Sequence, residues 1–204
     1  HIEDKFYIIS NWNALNFRLL TCELGKTNKV NWTEHVPHRE DTLLESIEIF
    51  KEFMVLEERK GGLSQFKIIT KTGEEHYIKM DVASYMAHGS VNMEFDTPLF
   101  RYGYTSLVTP STTYDYHFKD KTQEVKKQQK IIGGYDEQKY ATERINARAS
   151  DGTQIPISLV YNKELFVEGK SPLLLYGYGS YGHVVDPGFS PARLSLLDRG
   201  FAFA

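Results

Sequence analysis

Apolar and polar residues alternate through much of the first two thirds of the chain, and the alternation recurs. Three stretches carry it: "FYIISNWNALNFRLLTCELGKTN", "FMVLEERKGGLSQFKIITKTGEE" and "TSLVTPSTTYDYHFKDKTQEV". Each opens on an apolar core, at Ile8, Val55 or Leu107. A polar or Gly/Pro-bearing turn follows, then an alternating strand at Phe17-Arg18-Leu19, Phe66-Lys67-Ile68 or Tyr116-His117-Phe118. Each closes on a turn near Gly25-Lys26-Thr27, Gly73-Glu74 or Asp120-Lys121-Thr122. Successive side chains of a strand point to opposite faces, so a period of two marks half-buried strands. A hairpin of this kind recurring about every 47 to 52 residues is how propeller blades read. Further strands are expected in "EEHYIKM" and "LFRYGYTS". The segment "DTLLESIEIFKEFMVLEER" supports two readings, because Leu43, Ile47, Phe50 and Met54 would also line one helix face. The repeat demands two strands there, and two strands are expected.

The rhythm changes after "QQKIIGGYDEQ", where Gly133-Gly134 is a linker signal. In "YATERINARASDGTQIPISLVYNKE", Asp151-Gly152 between two strand-like runs predicts a hairpin. "PLLLY" is a short continuous apolar run, typical of a strand buried on both faces. "SPARLSLLDRG" reads as a short helix with Ser190 as N-cap, Pro191 at its first position and Gly200 past its end. "FAFA" begins another buried strand. Strand, loop, helix, strand is a βαβ unit and implies a parallel sheet. The expected fold class is therefore mixed: the C-terminal two to three blades of an all-β propeller over residues 1–134, then the start of an α/β domain over 135–204.

Between that apolar run and the helix lies "YGYGSYGHVVDPGFSP", in which Gly177, Gly179 and Gly182 spell G-x-G-x-x-G. A dinucleotide turn needs its helix to begin inside the motif, so that free N–H groups meet the pyrophosphate. Pro187 and Pro191 bar a helix for about eight residues after Gly182. No acidic residue ends the following strand, since Asp198 precedes it, and no Gly-Lys-Ser/Thr makes a P-loop. Ser180 is not a nucleophile elbow, because Tyr178 stands where G-x-S-x-G needs glycine. The stretch fits the loop that follows an early central strand of an α/β-hydrolase sheet, where an oxyanion donor is built. A hydroxyl of Tyr176 or Tyr178 could supply that donor. The residues alone leave open that both tyrosines merely pack a tight turn.

Composition narrows the field a little. The chain has 204 residues, 41% hydrophobic and 25% charged, with 13 Tyr and 12 Phe, which leans towards β-structure. A net charge of -3 gives no reason to expect nucleic acid or an anionic membrane as partner. No cofactor or metal is expected: His35 and His38 stand close in sequence, but no Cys or carboxylate cluster joins them, and they read as loop or inter-strand packing. The single cysteine, Cys22, sits in "FRLLTCEL" as a small buried hydrophobe and allows no internal disulfide, which suits a reducing compartment. No signal peptide or membrane-length apolar run is present. "HIEDKFYIIS" opens like mid-domain sequence and "GFAFA" stops on an apolar run, so the expectation is an internal piece of a longer protein. Its cut sheet should favour association.

Several strings carry a resemblance: "YGYGSYG", "FSPARLSLLDRGFAFA", "ARASDGTQIPISLVYNK", "VPHREDTLLESIEIFKEFMVLEERKGGL" and "LFRYGYTSLVTPSTTYDY". Together they resemble the prolyl oligopeptidase family of serine peptidases, in its oligopeptidase B branch, from end to end of the chain. The resemblance implies a propeller capping an α/β-hydrolase peptidase domain, and a cytoplasmic enzyme that cleaves short peptides after Arg or Lys. It gives Tyr178 the role of oxyanion stabiliser and places the Ser-Asp-His triad downstream of these residues, so the piece alone should be inactive. A prolyl-specific oligopeptidase and a non-catalytic propeller interaction module remain as alternatives.

Overall fold

The computed structural model describes residues 1–204. Strands dominate, and the chain divides into two compact units: residues 1–61 with 65–77, and residues 62–64 with 78–204.

The first unit contains two antiparallel sheets. Strands β1 (Lys5–Ser10), β2 (Arg18–Glu23) and β3 (Thr33–Val36) form one, in that order. Strands β4 (Thr42–Ile49), β5 (Phe53–Lys60), β6 (Leu63–Thr70) and β7 (Glu75–Tyr77) form the other. The ambiguous segment is thus a hairpin, as the repeat required. The helix-like set does not gather on one core: Ile47 and Met54 join it, Leu43 and Phe50 do not. The β4–β5 register slips between Leu44 and Ser46, leaving Glu45 unpaired as a bulge. Leu44 and Ile47 therefore face the same core at a spacing of three residues. That core joins Leu19, Val36, Met54 and Leu56 to the side chains of Tyr7, Ile9 and Phe17. Cys22 is buried as expected. His35 packs edge-on against Tyr7 across β1–β3, with ring centroids 5.8 Å apart.

One charge lies at the heart of this unit. Glu58 is 0% exposed. Both its oxygens accept from the Arg39 guanidinium, and its Oε2 also accepts from the Tyr77 hydroxyl at 3.1 Å and the Gln65 amide at 3.1 Å. A buried carboxylate is tolerable only when its lone pairs are met in this way.

In the second unit, strands β8 (Tyr85–Gly89), β9 (Leu99–Ser106), β10 (Thr112–His117) and β11 (Thr122–Gln128) make an antiparallel meander in sequence order. Aromatic rings fill one face: Phe100 stacks on Tyr102, and Tyr102 on Tyr114. On the other face Arg101 grips Asp115 with two bonds of 2.7 and 2.8 Å. Gly103 pairs with His88, whose ring lies over it; a Cβ at 103 would come within 2.6 Å of that imidazole.

Beyond Gly133 and Gly134, both at positive φ, the pattern changes. Strands β12 (Tyr140–Arg148) and β13 (Gln154–Asn162) form an uninterrupted nine-residue ladder. The Asp-Gly turn closes it as predicted. Asp151 accepts from the Thr153 amide at 2.9 Å, and Gly152 takes φ 90°. Strand β14 (Leu173–Leu174), helix α1 (Pro191–Leu197) and strand β15 (Ala202–Phe203) follow. β14 and β15 pair in parallel, and β15 joins β13 antiparallel, giving the order β12-β13-β15-β14. The expected βαβ unit is present.

Two expectations need correction. "PLLLY" is not buried on both faces: Leu173 is 55% and Leu175 67% exposed. β14 has β15 as its one neighbour, and no element of this chain covers it. Ser190 occupies the N-cap position but its side chain makes no capping bond; Pro191 at the first helical position removes one of the amides that need capping. At the other end Gly200 does cap, at φ 82°, with its amide on Leu197 and the Phe201 amide on Leu196. No helix is long and apolar enough to cross a membrane.

Replacing Glu58 by Ala strips Arg39, Gln65 and Tyr77 of a shared acceptor. The expected loss is about 3 kcal/mol, the low end for breaking a buried pair because Arg39 keeps some water contact. Urea unfolding of Glu58→Ala against wild type measures it, and an unchanged midpoint would show the network to be idle.

Candidate active site

The glycine loop leaves the sheet where two parallel strands end, the place where α/β sheets hold ligands. The β14–β15 pairing runs on past the strands proper. Ala204 donates to Leu174 at 3.0 Å and Tyr176 donates to Ala204 at 2.8 Å. The chain then turns sharply. Gly179 sits at φ 101°, Tyr181 at 55° and Gly182 at 65°, and the His183 amide closes a turn on the Ser180 carbonyl at 3.0 Å. Gly177 is not at positive φ, and a Cβ there would meet nothing within 4 Å, so this first glycine is not sterically required.

The helix waits until Pro191. Residues 183–190 run in extended and turning conformation, and their far end is pinned when the Phe189 amide donates to the Thr105 hydroxyl at 3.0 Å. No amide array at a helix terminus faces the glycines, as the prolines predicted, and a dinucleotide site would need one.

Tyr176 and Tyr178 both line an open cavity of about 730 Å³, together with His183, Ser158, Arg144 and Arg193. Tyr178 is half exposed, and its ring meets the His183 imidazole edge-on with centroids 5.5 Å apart. Tyr176 and Tyr178 are thus brought to one cavity with their hydroxyls unburied. His35 and His38 lie in the other unit, and no group of three His, Cys, Asp or Glu side chains converges to hold a metal.

Two arginines here were not singled out from sequence. Arg193 stacks its guanidinium on the Phe203 ring at 4.0 Å and donates to the Gly188 carbonyl at 2.9 Å. Arg144 donates to the Ser158 hydroxyl at 3.1 Å. Burial disfavours the charged form of each and pulls both below the ordinary arginine value. Arg193 sits one turn into α1, a position no motif marks.

Helix α1 is fixed from behind. The Tyr140 hydroxyl and the Asn162 amide donate to Asp198 Oδ1, at 2.8 and 3.2 Å. Leu197 packs with Val160, Tyr140, Leu107 and Val108 in the core of this unit.

A family model described as "Prolyl oligopeptidase, N-terminal beta-propeller domain" matches residues 1–129. Among curated relatives, "Dipeptidyl aminopeptidase BI" of Pseudoxanthomonas mexicana is 42% identical over the whole chain, which covers 28% of that relative. "Protease 2" of Moraxella lacunata is 33% identical over the whole chain, again with 29% of the relative covered. The solved structure of oligopeptidase B from Leishmania major superposes with a TM-score of 0.89 at 33% identity, over 98% of this chain and 29% of that one. The chain thus spans under a third of the length of these relatives.

Burial, and after it the bond to Asp198, pushes the Tyr140 phenol up to about 12. The folded state favours the neutral phenol, so this stabilisation is complete below the unfolded value near 10 and is lost as pH rises from about 10 to about 12. Tyr140→Phe should cost about 1 kcal/mol at neutral pH. It should also flatten that part of the alkaline decline. Thermal melts of both proteins from pH 7 to 12 test this, and parallel curves would contradict it.

Proposed function

Because the chain belongs to the prolyl oligopeptidase family, we propose that the protein it forms part of is a serine-type oligopeptidase. Residues 1–134 are then the propeller side and residues 135–204 the start of an α/β-hydrolase peptidase domain. The observation that carries this reading is the loop at the end of β14, whose delayed helix leaves a phenol, and no amide array, at the cavity.

In this reading Tyr178 is the catalytic residue of the chain. A serine hydroxyl outside these residues attacks the scissile carbonyl, and a histidine takes its proton. The carbonyl oxygen becomes an oxyanion, and the Tyr178 O–H donates to it. The intermediate collapses, the C–N bond breaks, and the amine leaves with the proton from histidine. Water then hydrolyses the acyl-enzyme by the same steps. Substrates are short peptides, with the propeller limiting access. The likeness to Protease 2 and oligopeptidase B supports cleavage after Arg or Lys. Without nucleophile and base, the 204 residues alone hydrolyse nothing by this route. The lone thiol supports a cytoplasmic setting.

A second reading has its own support, the 42% identity to a dipeptidyl aminopeptidase. Such an enzyme removes N-terminal dipeptides and requires a free amine.

Two assays on the full-length protein follow. Tyr178→Phe should lower kcat about 100-fold with little change in KM, as for loss of one oxyanion donor. An unchanged kcat would reduce Tyr178 to packing. Dipeptidyl anilides with Arg bonded to the aniline, with free and acetylated N-termini, separate the two readings: equal rates of aniline release favour the oligopeptidase, and turnover of the free form alone favours the aminopeptidase.

A further inference from the structure

The aromatic face of β9 and β10 borders a second, polar cavity of about 280 Å³, distant in sequence from the glycine loop. Its walls are Tyr102, Tyr104 and Tyr114, with Asp81 and Glu137 at the same space. Tyr102 and Tyr114 stack at 5.4 Å, and Tyr104 meets Tyr114 edge-on at 6.0 Å.

The hydrogen-bonding ledger does not close within the chain. Tyr102 donates to the Gln123 carbonyl oxygen at 2.7 Å and is satisfied. Tyr104 is 8% exposed, yet its hydroxyl lines the cavity with no partner. That hydroxyl stays open to the cavity's solvent and is free to bond an occupant. Asp81 makes no ion pair, and Glu137 accepts one bond, from the Thr109 hydroxyl at 3.3 Å. Lys79 reaches the rim but is exposed and pairs with neither carboxylate. Burial, followed by the Asp81 and Glu137 carboxylates, pushes the Tyr114 phenol up, so the phenols stay neutral. Asp81 and Glu137 are exposed as well, so the space offers phenol oxygens and ring faces within and two carboxylates at its rim, against one positive charge.

A metal ion does not suit it, since no three His, Cys, Asp or Glu side chains converge. A flat organic cation does. A guanidinium presents five N–H donors in one plane, pairs with carboxylates through a fork and stacks on aromatic rings. An ammonium is more strongly hydrated and uses ring faces less well. The volume is at the small end of ligand pockets and admits one long side chain.

We propose that this cavity binds the guanidinium head of an arginine side chain carried by a peptide, at a site separate from the Tyr178 loop. It does not depend on the peptidase reading.

The test is calorimetric titration of the full-length protein with N-acetyl-arginine amide and with its neutral isostere, N-acetyl-citrulline amide. The arginine amide should bind, and the citrulline amide should bind roughly tenfold or more weakly. Asp81→Asn should remove one binding event from the stoichiometry, leaving any basic-residue subsite at the peptidase centre to be counted on its own. Tyr104→Phe, which deletes a single hydroxyl, should weaken the same event severalfold, and it decides the matter if Asp81→Asn does not fold. Equal binding of the two amides overturns the proposal, as does a stoichiometry and affinity untouched by both variants.

Discussion

A carboxylate at the C-terminal end of a helix opposes the helix dipole. Asp198 stands there all the same, because two donors hold it: the hydroxyl of Tyr140, first residue of β12, and the amide of Asn162, last residue of β13. Those two residues face each other across the hairpin. One oxygen thus ties both strands, at the open end of the long ladder, to the rear of α1. The rest of the region hangs on that tie. β15 enters the sheet only a few residues later, β14 zips onto β15, and the glycine loop is strung from β14 to α1. The front of the loop is free to present side chains because its back is fixed.

Much of this was legible in the sequence where the signal is local. Asp151-Gly152 specifies its turn through one side-chain bond and one positive φ, both properties of neighbouring residues. Pro187 and Pro191 delay the helix by covalent geometry alone. The leucines of "PLLLY" misled for a different reason. Apolarity reports what a segment would bury against, and whether a covering layer exists is decided by chain far from it. The near-helical spacing in β4 is a third kind of case. The bulge at Glu45 puts Leu44, and not the Leu43 of the helix-like set, on the core face with Ile47, so that set does not trace one face of the sheet.

Charge networks were the least visible. Glu58 looks like one more acidic residue in "MVLEERK", and nothing nearby says that its partners lie at 39, 65 and 77. The same holds for the tyrosines of β9 and β10. Their alternation announced a buried face, and that face does pack, but the cavity beside it forms only when Asp81 and Glu137 arrive from flanking loops. Aromatic stacking supplies rigid walls there, and the carboxylates give the walls a sign.

The pairing of Gly103 with His88 carries a lesson about inheritance. The glycine is in ordinary strand conformation, so backbone freedom does not account for it; the imidazole occupies the room a methyl group would take. Two neighbouring positions share a single volume. A lineage drifting to alanine at 103 must turn the exposed His88 ring into another rotamer, so each position narrows the side-chain choices of the other.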